Sequence, residues 1–215
     1  INLLEQITTM KIICISDTHN HYHALDGKLP AGDILIHAGD LVRHGTVDEI
    51  QQFVDWYTQL PHRYKIFVGG NHDGALEHSR EQIKIPANLI YLENELVEIE
   101  GLRIWGSPVS PPYRSFGFMW EEPRRYATYQ KIPPNCDIII NHSPPFGILD
   151  QVEEGQHVGC QILAQRLREL KPKLVICGHI HEGYGQLELD GTLYVNASIM
   201  TRRYQATNLP ICIEI

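Results

Sequence analysis

The feature that most restricts how this chain folds is a set of five short apolar segments, each followed by polar side chains. They lie at 11–16, 33–38, 64–69, 137–141 and 173–177. Because these segments are apolar almost throughout rather than alternating, they are typical of strands that are buried on both faces. Helical patterns lie between several of them, which predicts an α/β protein whose sheet is covered by helices.

Two further stretches, residues 89–105 and 184–215, contain strand patterns that follow one another without a helix. The strands predicted in them are at 89–92, 96–100, 102–105, 184–189, 193–196 and 210–215. Helices are predicted at about 46–59, 75–83, 121–130 and 158–170. The last of these stops before Pro172, because proline does not continue a helix. We therefore expect two sheets packed together with helices outside.

The length and charge of the chain limit its domain count and its partners. A chain of 215 residues fits one domain, predicted at 11–215 after an N-terminal extension at 1–10. Its net charge of −8, without a long Lys/Arg run, argues against binding to long nucleic acids or anionic membranes. The sequence shows neither the roughly 18 consecutive apolar residues of a membrane span nor a secretory signal. We expect a cytoplasmic protein, and the sequence leaves its oligomeric state open.

The cysteines indicate the same compartment. They are Cys14, Cys136, Cys160, Cys177 and Cys212. Their number is odd, no Cys-x-x-Cys pair occurs, and most lie in or beside apolar runs. We predict five reduced thiols in or near the core.

The residues that follow the five apolar segments are rich in metal-ligating side chains. In an α/β sheet, ligands bind beyond the carboxyl ends of the strands, so adjacent parallel strands bring these residues to one rim. The residues expected there are Asp17, His19, Asp40, Asn71, His72, His142, His179 and His181.

This donor set predicts two metal ions. Imidazoles with carboxylates and an amide oxygen suit Mn, Fe, Zn, Ni or Co better than Ca or Mg alone. Seven ligands from among these eight residues are too many for one ion but suit two ions that share a carboxylate. Two such ions hold the attacking and leaving oxygens of an in-line phosphoryl displacement, and they lower the pKa of a shared water until it is a hydroxide nucleophile. Two divalent ions carry four positive charges, and the two aspartates carry two negative ones. The site is therefore net positive and attracts phosphate.

Residues outside the rim offer weaker signals. The long aromatic loop at 107–120 is either functional or a folded surface loop. Within it, Arg114 is a candidate to pair with a second phosphate or a sugar oxygen. Phe146 is a candidate to stack on a base. Four of the seven histidines outside the rim are interpreted as structural or surface residues: His37, His44, His62 and His78.

The strand-end motifs resemble those of the calcineurin-like metallophosphoesterase superfamily. They read Asp17-Thr-His19, Gly39-Asp40, Gly70-Asn-His-Asp73, His142 and Gly178-His-Ile-His181. The resemblance extends from Lys11 to the end of the chain. It is closest to the metallophosphoesterase-domain-containing subgroup, which includes enzymes similar to class III cyclic-nucleotide phosphodiesterases. It implies a four-layer α/β/β/α sandwich with mixed sheets and two divalent ions, most commonly Mn or Fe and sometimes Zn, Ni or Co.

The resemblance also implies a role for each motif residue. One ion is bound by Asp17, His19 and His181. The other ion is bound by Asn71, His142 and His179, and Asp40 bridges the two. His72 then contacts the phosphoryl oxygen or protonates the leaving oxygen, and Asn71 also touches the substrate.

The implied activity is hydrolysis of small phosphodiesters, such as cyclic nucleotides, by attack of the metal-bridging hydroxide on phosphorus. Two alternatives remain: a phosphomonoesterase or Ser/Thr protein phosphatase, and a non-catalytic binding module on the same fold. The stretch Gly39-Asp-Leu-Val-Arg-His-Gly45 lacks the aspartate that partners the catalytic histidine in protein phosphatases, which disfavours the first alternative. Every metal-motif residue is present, which disfavours the second.

Overall fold

The computed structural model describes residues 9–215, so the first eight residues of the predicted N-terminal extension lie outside the described part. Within residues 9–215, eleven strands form two mixed sheets. The strands are β1 (Lys11–Ile15), β2 (Ile34–His37), β3 (Tyr64–Phe67), β4 (Ile90–Tyr91), β5 (Glu95–Ile99), β6 (Leu102–Ser107), β7 (Ile138–Asn141), β8 (Leu174–Cys177), β9 (Gly185–Leu189), β10 (Thr192–Asn196) and β11 (Ile211–Glu214). Each predicted strand is present, with small differences at its ends.

The topology directs the parallel strands of both sheets toward one edge of the molecule. The first sheet has the order β11-β1-β2-β3-β4 and the second has the order β5-β6-β7-β8-β10-β9. Strands β1 to β4 are parallel, as are β6, β7, β8 and β10, and the antiparallel strands lie at the sheet edges. A parallel bridge between Ser16 and Ser198 joins the sheets just beyond β1 and β10. The carboxyl ends of both parallel sets therefore lie together.

The helices are α1 (Val47–Thr58), α2 (Gly74–His78), α3 (Glu122–Tyr129) and α4 (Gln161–Leu170). Helix α1 begins at a capping box between Thr46 and Glu49, in which each side chain binds the backbone of the other. Helix α2 is shorter than the predicted helix at 75–83, because Ser79 leaves the helical conformation before a 3₁₀ turn at Arg80–Gln82. Helix α4 begins later than predicted, because Cys160 pairs with Pro145 in an extended bridge.

Two apolar cores alternate along the strands and define the layers. On β1, Ile12 and Cys14 face one core, whereas Ile13 and Ile15 face the other. The first core contains strand residues of both sheets and none from the four helices, so it lies between the sheets. The second set of buried residues includes those of α1 and α4, which cover the outer faces. The predicted four-layer arrangement with mixed sheets is therefore confirmed.

The cysteines follow the prediction with one exception. All five are free thiols, and Cys14, Cys136, Cys160 and Cys177 are buried. Cys212 is exposed, so its predicted place in or near the core is wrong. The cause is the edge position of β11, where alternate side chains point to solvent while Ile213 points inward. No helix within residues 9–215 combines the length and the apolar composition needed to cross a membrane.

Candidate metal centre

The structure brings the eight predicted rim residues together in one cleft at the carboxyl ends of the parallel strands. Three overlapping groups have ligand atoms within 4.8 Å of one another: Asp17, His19 and His181; His19, Asp40 and His72; and Asp40, His142 and His179. The eighth residue, Asn71, joins them, because its Oδ1 lies 3.0 Å from Nε2 of His142. The cleft has a volume of about 340 Å³. Side chains that are up to 162 residues apart in the sequence, such as His19 and His181, are therefore in contact.

Four of these residues adopt a backbone conformation that non-glycine residues rarely adopt. Asp17, His19, Asp40 and His179 have φ angles of 54°, 41°, 54° and 69°. The left-handed region costs an L-residue roughly 1–2 kcal/mol, and such strain persists only where the surroundings impose it. Here the loops hold one another: the N–H of Asp17 donates to the Gly39 carbonyl and that of His19 donates to the Asp40 carbonyl. The N–H of His179 donates to the Asp17 carboxylate.

In the group of Asp17, His19 and His181, lone pairs of nitrogen and oxygen atoms face one another. Nδ1 of His181 lies 3.2 Å from the Thr201 carbonyl, to which it donates, so Nε2 of the neutral ring carries no proton. That Nε2 lies 3.3 Å from Nε2 of His19 and 3.6 Å from a carboxylate oxygen of Asp17. Nδ1 of His19 is buried without a partner. Two ring nitrogens and a carboxylate that face one another in this way fit a cation.

The group that contains His142 is arranged in the same way as the group that contains His181. Nδ1 of His142 donates to the Ala38 carbonyl at 2.8 Å, which leaves its Nε2 as the coordinating atom. This Nε2 lies 3.0 Å from Oδ1 of Asn71 and 3.3 Å from a carboxylate oxygen of Asp40. Because three acceptor atoms converge, they repel one another unless a positive charge lies between them. The donor chemistry of both groups therefore fits divalent metal ions.

The protonation behaviour of the site agrees with this arrangement. Burial lowers the pKa of His19 and of His179 to about 4, so both rings are neutral near pH 7 and available as ligands. Burial alone lowers the pKa of His142 too, but the adjacent Asp40 carboxylate outweighs it and raises that pKa to about 9. A proton on His142 thus supplies positive charge beside Asp40 when no metal does, and a bound cation displaces it.

His72 is oriented by the backbone rather than by an acidic side chain. Its N–H donates to a carboxylate oxygen of Asp40 at 2.8 Å, and its Nδ1 donates to the carbonyl of Arg43 at 2.8 Å. The Arg43 carbonyl therefore occupies the role of the aspartate that the sequence lacks at this position. The ring packs against His19 and against Phe116, with centroids 4.7 Å and 4.9 Å away. Its Nε2 remains free for a substrate.

Two buried residues tie the ligand-bearing loops together: His37, interpreted from the sequence as a structural or surface residue, and Thr18, which sequence reasoning did not name. The Gly39 N–H donates to Nδ1 of His37, so Nε2 of His37 donates to the Thr18 hydroxyl at 2.9 Å. The Thr18 hydroxyl in turn donates to the Leu41 carbonyl at 2.8 Å. This chain links the loop that follows β1 to the loop that follows β2. His37 lies in an apolar strand, but no pattern in the sequence names Thr18 as its partner.

Asp73 links the next pair of loops. Its carboxylate accepts hydrogen bonds from the backbone N–H groups of Leu41, Val42 and Gly70. Burial, together with the nearby Asp40, raises the pKa of Asp73 to about 8, while the three N–H groups oppose that shift. The Asn-His-Asp motif showed that Asp73 is near the site, but its three backbone partners come from the fold.

Tyr204 is a cleft residue that sequence reasoning missed entirely. Its ring lies 5.1 Å from the ring of His19 and 5.1 Å from that of His181. The Arg43 guanidinium lies 5.8 Å from the Tyr204 ring centroid. Tyr204 also has a positive φ, of 56°. It follows no apolar strand and belongs to no motif, so no sequence signal identifies it.

The loop at 107–120 is anchored at one end and reaches the cleft at the other. The Glu77 carboxylate accepts from the Phe118 N–H and, at 2.7 Å, from Nε1 of Trp120. Tyr113, Arg114 and Phe116 line the cleft. The structure thus places the predicted substrate contact Arg114 at the site.

The other predicted substrate contact, Phe146, is not brought to the metal cleft. It lines a separate groove beside α4, together with Leu167 and Tyr194. Its ring lies 5.8 Å from that of His157. The loop that follows β7 carries Phe146 away from His142, which lies at the end of the same strand. Phe146 is therefore close to His142 in the sequence but does not line the same cleft.

Comparison with known proteins adds independent findings. The sequence profile described as "Calcineurin-like phosphoesterase" matches residues 10–183. The human protein named metallophosphoesterase domain-containing protein 1 is 37% identical in an alignment 234 residues long, which covers 95% of this chain and 71% of that protein. A protein of Arcobacter nitrofigilis, named probable glycerophosphodiester phosphodiesterase GpdQ, is 28% identical over 71% of this chain and 58% of its own. The crystal structure of TT1561 of Thermus thermophilus shares the fold, with a TM-score of 0.62 and 14% identity over 88% of this chain and 89% of that one.

Proposed function

The chain belongs to the calcineurin-like phosphoesterase family, and on that premise we propose that it is a two-metal phosphodiesterase acting on small phosphodiesters such as cyclic nucleotides. The observation that carries this proposal is the convergence of ring nitrogens, carboxylates and an amide oxygen on one cleft. Asp17, His19 and His181 hold one ion. Asn71, His142 and His179 hold the other, and Asp40 lies between them.

Mixed nitrogen and oxygen donors without a thiolate suit Mn, Fe, Zn, Ni or Co, and the resemblance to the family favours Mn or Fe among them. When bound, two such ions activate a water and neutralise charge on the phosphoryl group. Asp17 and Asp40 remain ionised in the cleft: burial opposes this, but contacts with histidine rings hold both pKa values below their usual range. The two carboxylates balance only part of the charge of two divalent ions, which leaves the cleft attractive to an anion.

His72 is the proposed proton donor. Because Nδ1–H stays on the Arg43 carbonyl, the protonated ring has its second proton on Nε2, which is free to serve the leaving oxygen. The same N–H binds a phosphoryl oxygen before the bond breaks. Asn71 lies beside His72 and offers its amide to the phosphoryl group as well. The Asp40 carboxylate positions His72 through the backbone N–H.

Two observations support a diester substrate over a monoester. The similar protein from Arcobacter nitrofigilis carries the name of a phosphodiesterase. Arg114 lines the cleft, where it can pair with an oxygen of the second ester group. The proposed partner is therefore a small phosphorylated molecule, not a long nucleic acid, which an acidic chain of net charge −8 repels.

Hydrolysis of bis-p-nitrophenyl phosphate by the purified, Mn-loaded protein tests this proposal. We expect turnover that disappears when the metal is chelated, and a higher kcat/KM than for p-nitrophenyl phosphate. A higher kcat/KM for the monoester would identify a phosphomonoesterase instead. No turnover with Mn, Fe, Zn, Ni or Co, by a protein that holds two ions, would identify a binding module on the same fold.

A further inference from the structure

A second chamber opens beside the metal cleft. Its volume is about 590 Å³, within the usual range of sites for small molecules. His179 and Tyr113 line both the chamber and the cleft, so the two spaces lie side by side. The substituent of a molecule whose phosphorus lies at the metal ligands is therefore within reach of this chamber.

One wall of the chamber is a hairpin held in place by a buried carboxylate. The hairpin is residues 150–158, in which the N–H of Val152 donates to the Gln156 carbonyl and that of Val158 donates to the Asp150 carbonyl. The buried Asp150 carboxylate accepts from the N–H groups of Gly147 and Gly159 and, at 2.6 Å, from Nδ1 of His157. These bonds fix the hairpin to the flanking loops, so the wall exists before any ligand arrives.

Four side chains of the hairpin face the chamber. They are Val152 in the first arm, Glu154 in the turn, and Gln156 and Val158 in the second arm, where residues two apart share a face. His157 points to the other side, toward Asp150. The opposite wall is formed by Pro111 and Pro112. The chamber is thus an apolar slot with one carboxylate and one amide.

The chemistry of these walls decides what the chamber accepts. None of the described residues that line it is a lysine or an arginine, and the one carboxylate, that of Glu154, accepts a hydrogen bond from Nη2 of Arg202 at 3.3 Å. The lining therefore offers no free cation to hold a second phosphate. Flat apolar surfaces from the two prolines and two valines favour an aromatic ring, and Glu154 with Gln156 can accept hydrogen bonds from N–H groups on that ring.

We propose that this chamber binds the organic substituent of the phosphoester, an uncharged aromatic ring that carries N–H donors. This inference rests on the proposed function, because it places the phosphorus at the metal cleft. It deepens that function by naming the substrate class: aryl or nucleoside-type esters with a single phosphate, rather than polyphosphates or sugar bisphosphates. Arg114 lines the metal cleft and not the chamber, so it remains available to the phosphate.

The test compares binding of inorganic phosphate, methylphosphonate and phenylphosphonate to the Mn-loaded protein by titration calorimetry. We expect phenylphosphonate to bind about tenfold more tightly than methylphosphonate, because its ring is removed from water in the chamber. Val158→Trp fills the slot and brings the ratio of the two affinities close to one. The matched control Leu187→Trp changes an aliphatic strand residue that is 42% exposed and does not line the chamber, and it keeps the wild-type ratio.

A milder variant keeps the test valid if Val158→Trp does not fold. Val158→Ser removes apolar surface without adding bulk, and it lowers the ratio by roughly two- to fourfold. Equal affinities of wild type for the two phosphonates, with phosphate still bound, would overturn the chamber and leave the proposed function standing. A ratio unchanged in both Val158 variants would also overturn it. Failure of the loaded wild type to bind phosphate would overturn the proposed function and this inference together.

Discussion

The metal-binding loops and the cleft wall surround the same space but are built in opposite ways. The metal-binding loops are the segments at 17–20, 39–43, 70–73, 142 and 178–181, and the cleft wall consists of 107–120 and 150–158. Every proposed ligand but His179 is buried. Tyr113 in the wall is 72% exposed. Ligand atoms are thus positioned by the interior of the protein, and contacts to the rest of a substrate by its surface.

The difference follows from what each region has to hold. Converging carboxylates and ring nitrogens repel one another, and their backbones are strained, so only a dense set of buried hydrogen bonds keeps them in place. The carbonyls of Ala38 and Thr201 set the orientation of two rings, and that of Arg43 sets a third. The wall needs only shape and apolar surface, which exposed loops supply. We therefore expect large effects from substitutions in the metal-binding loops and modest ones from the wall.

The largest effect is expected from Asp40→Asn. The amide keeps the size of the side chain but removes the charge shared by two of the ligand groups. We expect the bound metal, measured by plasma mass spectrometry, to fall from about two ions to fewer than one, and activity to fall by about 10³-fold or more. Asp48→Asn, at an exposed position in the first turn of α1, is the control and retains both ions. Full metal content in Asp40→Asn would contradict the bridging position.

His72→Ala should separate chemistry from metal binding. We expect both ions to remain and kcat to fall by roughly 10²–10⁴-fold, the scale of one acid–base group. His78→Ala removes a histidine side chain that is 70% exposed and serves as the control with unchanged kcat. Loss of metal in His72→Ala would instead assign this ring to the ligand shell.

Thr18→Val tests whether the buried hydrogen bonds hold the metal-binding loops. The substitution keeps the shape but leaves the Leu41 carbonyl and Nε2 of His37 without their partner. We expect the free energy of unfolding of the metal-free protein, from urea titration, to fall by about 1–3 kcal/mol. Thr58→Val loses only a hydroxyl that donates to the exposed Asn88, and should change stability by less. An equal loss of unfolding free energy in the two variants would contradict the claim that the buried hydrogen bonds of Thr18 hold the metal-binding loops in place.

The smallest effect is expected from Phe116→Ala in the cleft wall. Its ring packs on His72, and such aromatic contacts contribute about 0.5–1.5 kcal/mol, which corresponds to roughly a 2- to 12-fold loss in kcat/KM. Tyr126→Ala truncates an exposed aromatic side chain of α3 outside the cleft and is the control. A loss as large as that of His72→Ala would show that the wall takes part in the chemistry, and the comparison would fail.

Much of the fold and of the candidate site was predictable from the sequence. Strands such as Ile138–Asn141 are apolar on both faces, and this pattern requires a layer on each side. The eight rim residues were predicted because each follows such a strand, and parallel strands end at one edge. Both predictions use local patterns that do not depend on where distant segments lie. Phe146 was a candidate because it is an aromatic residue in a loop after such a strand, and the loop carries it to a separate groove, since a turn beyond the strand end can lead in any direction.

Apolar strands ending in histidine, aspartate and asparagine determined the layered architecture and the set of candidate metal ligands of this protein, because burial and strand direction follow from local sequence. Tyr204, the Arg43 carbonyl and the chamber beside His179 emerged only when the chain was folded. Each arises from contact between segments far apart in the sequence, and a backbone carbonyl leaves no trace in residue identity. Packing of the two sheets decided which of these groups meet.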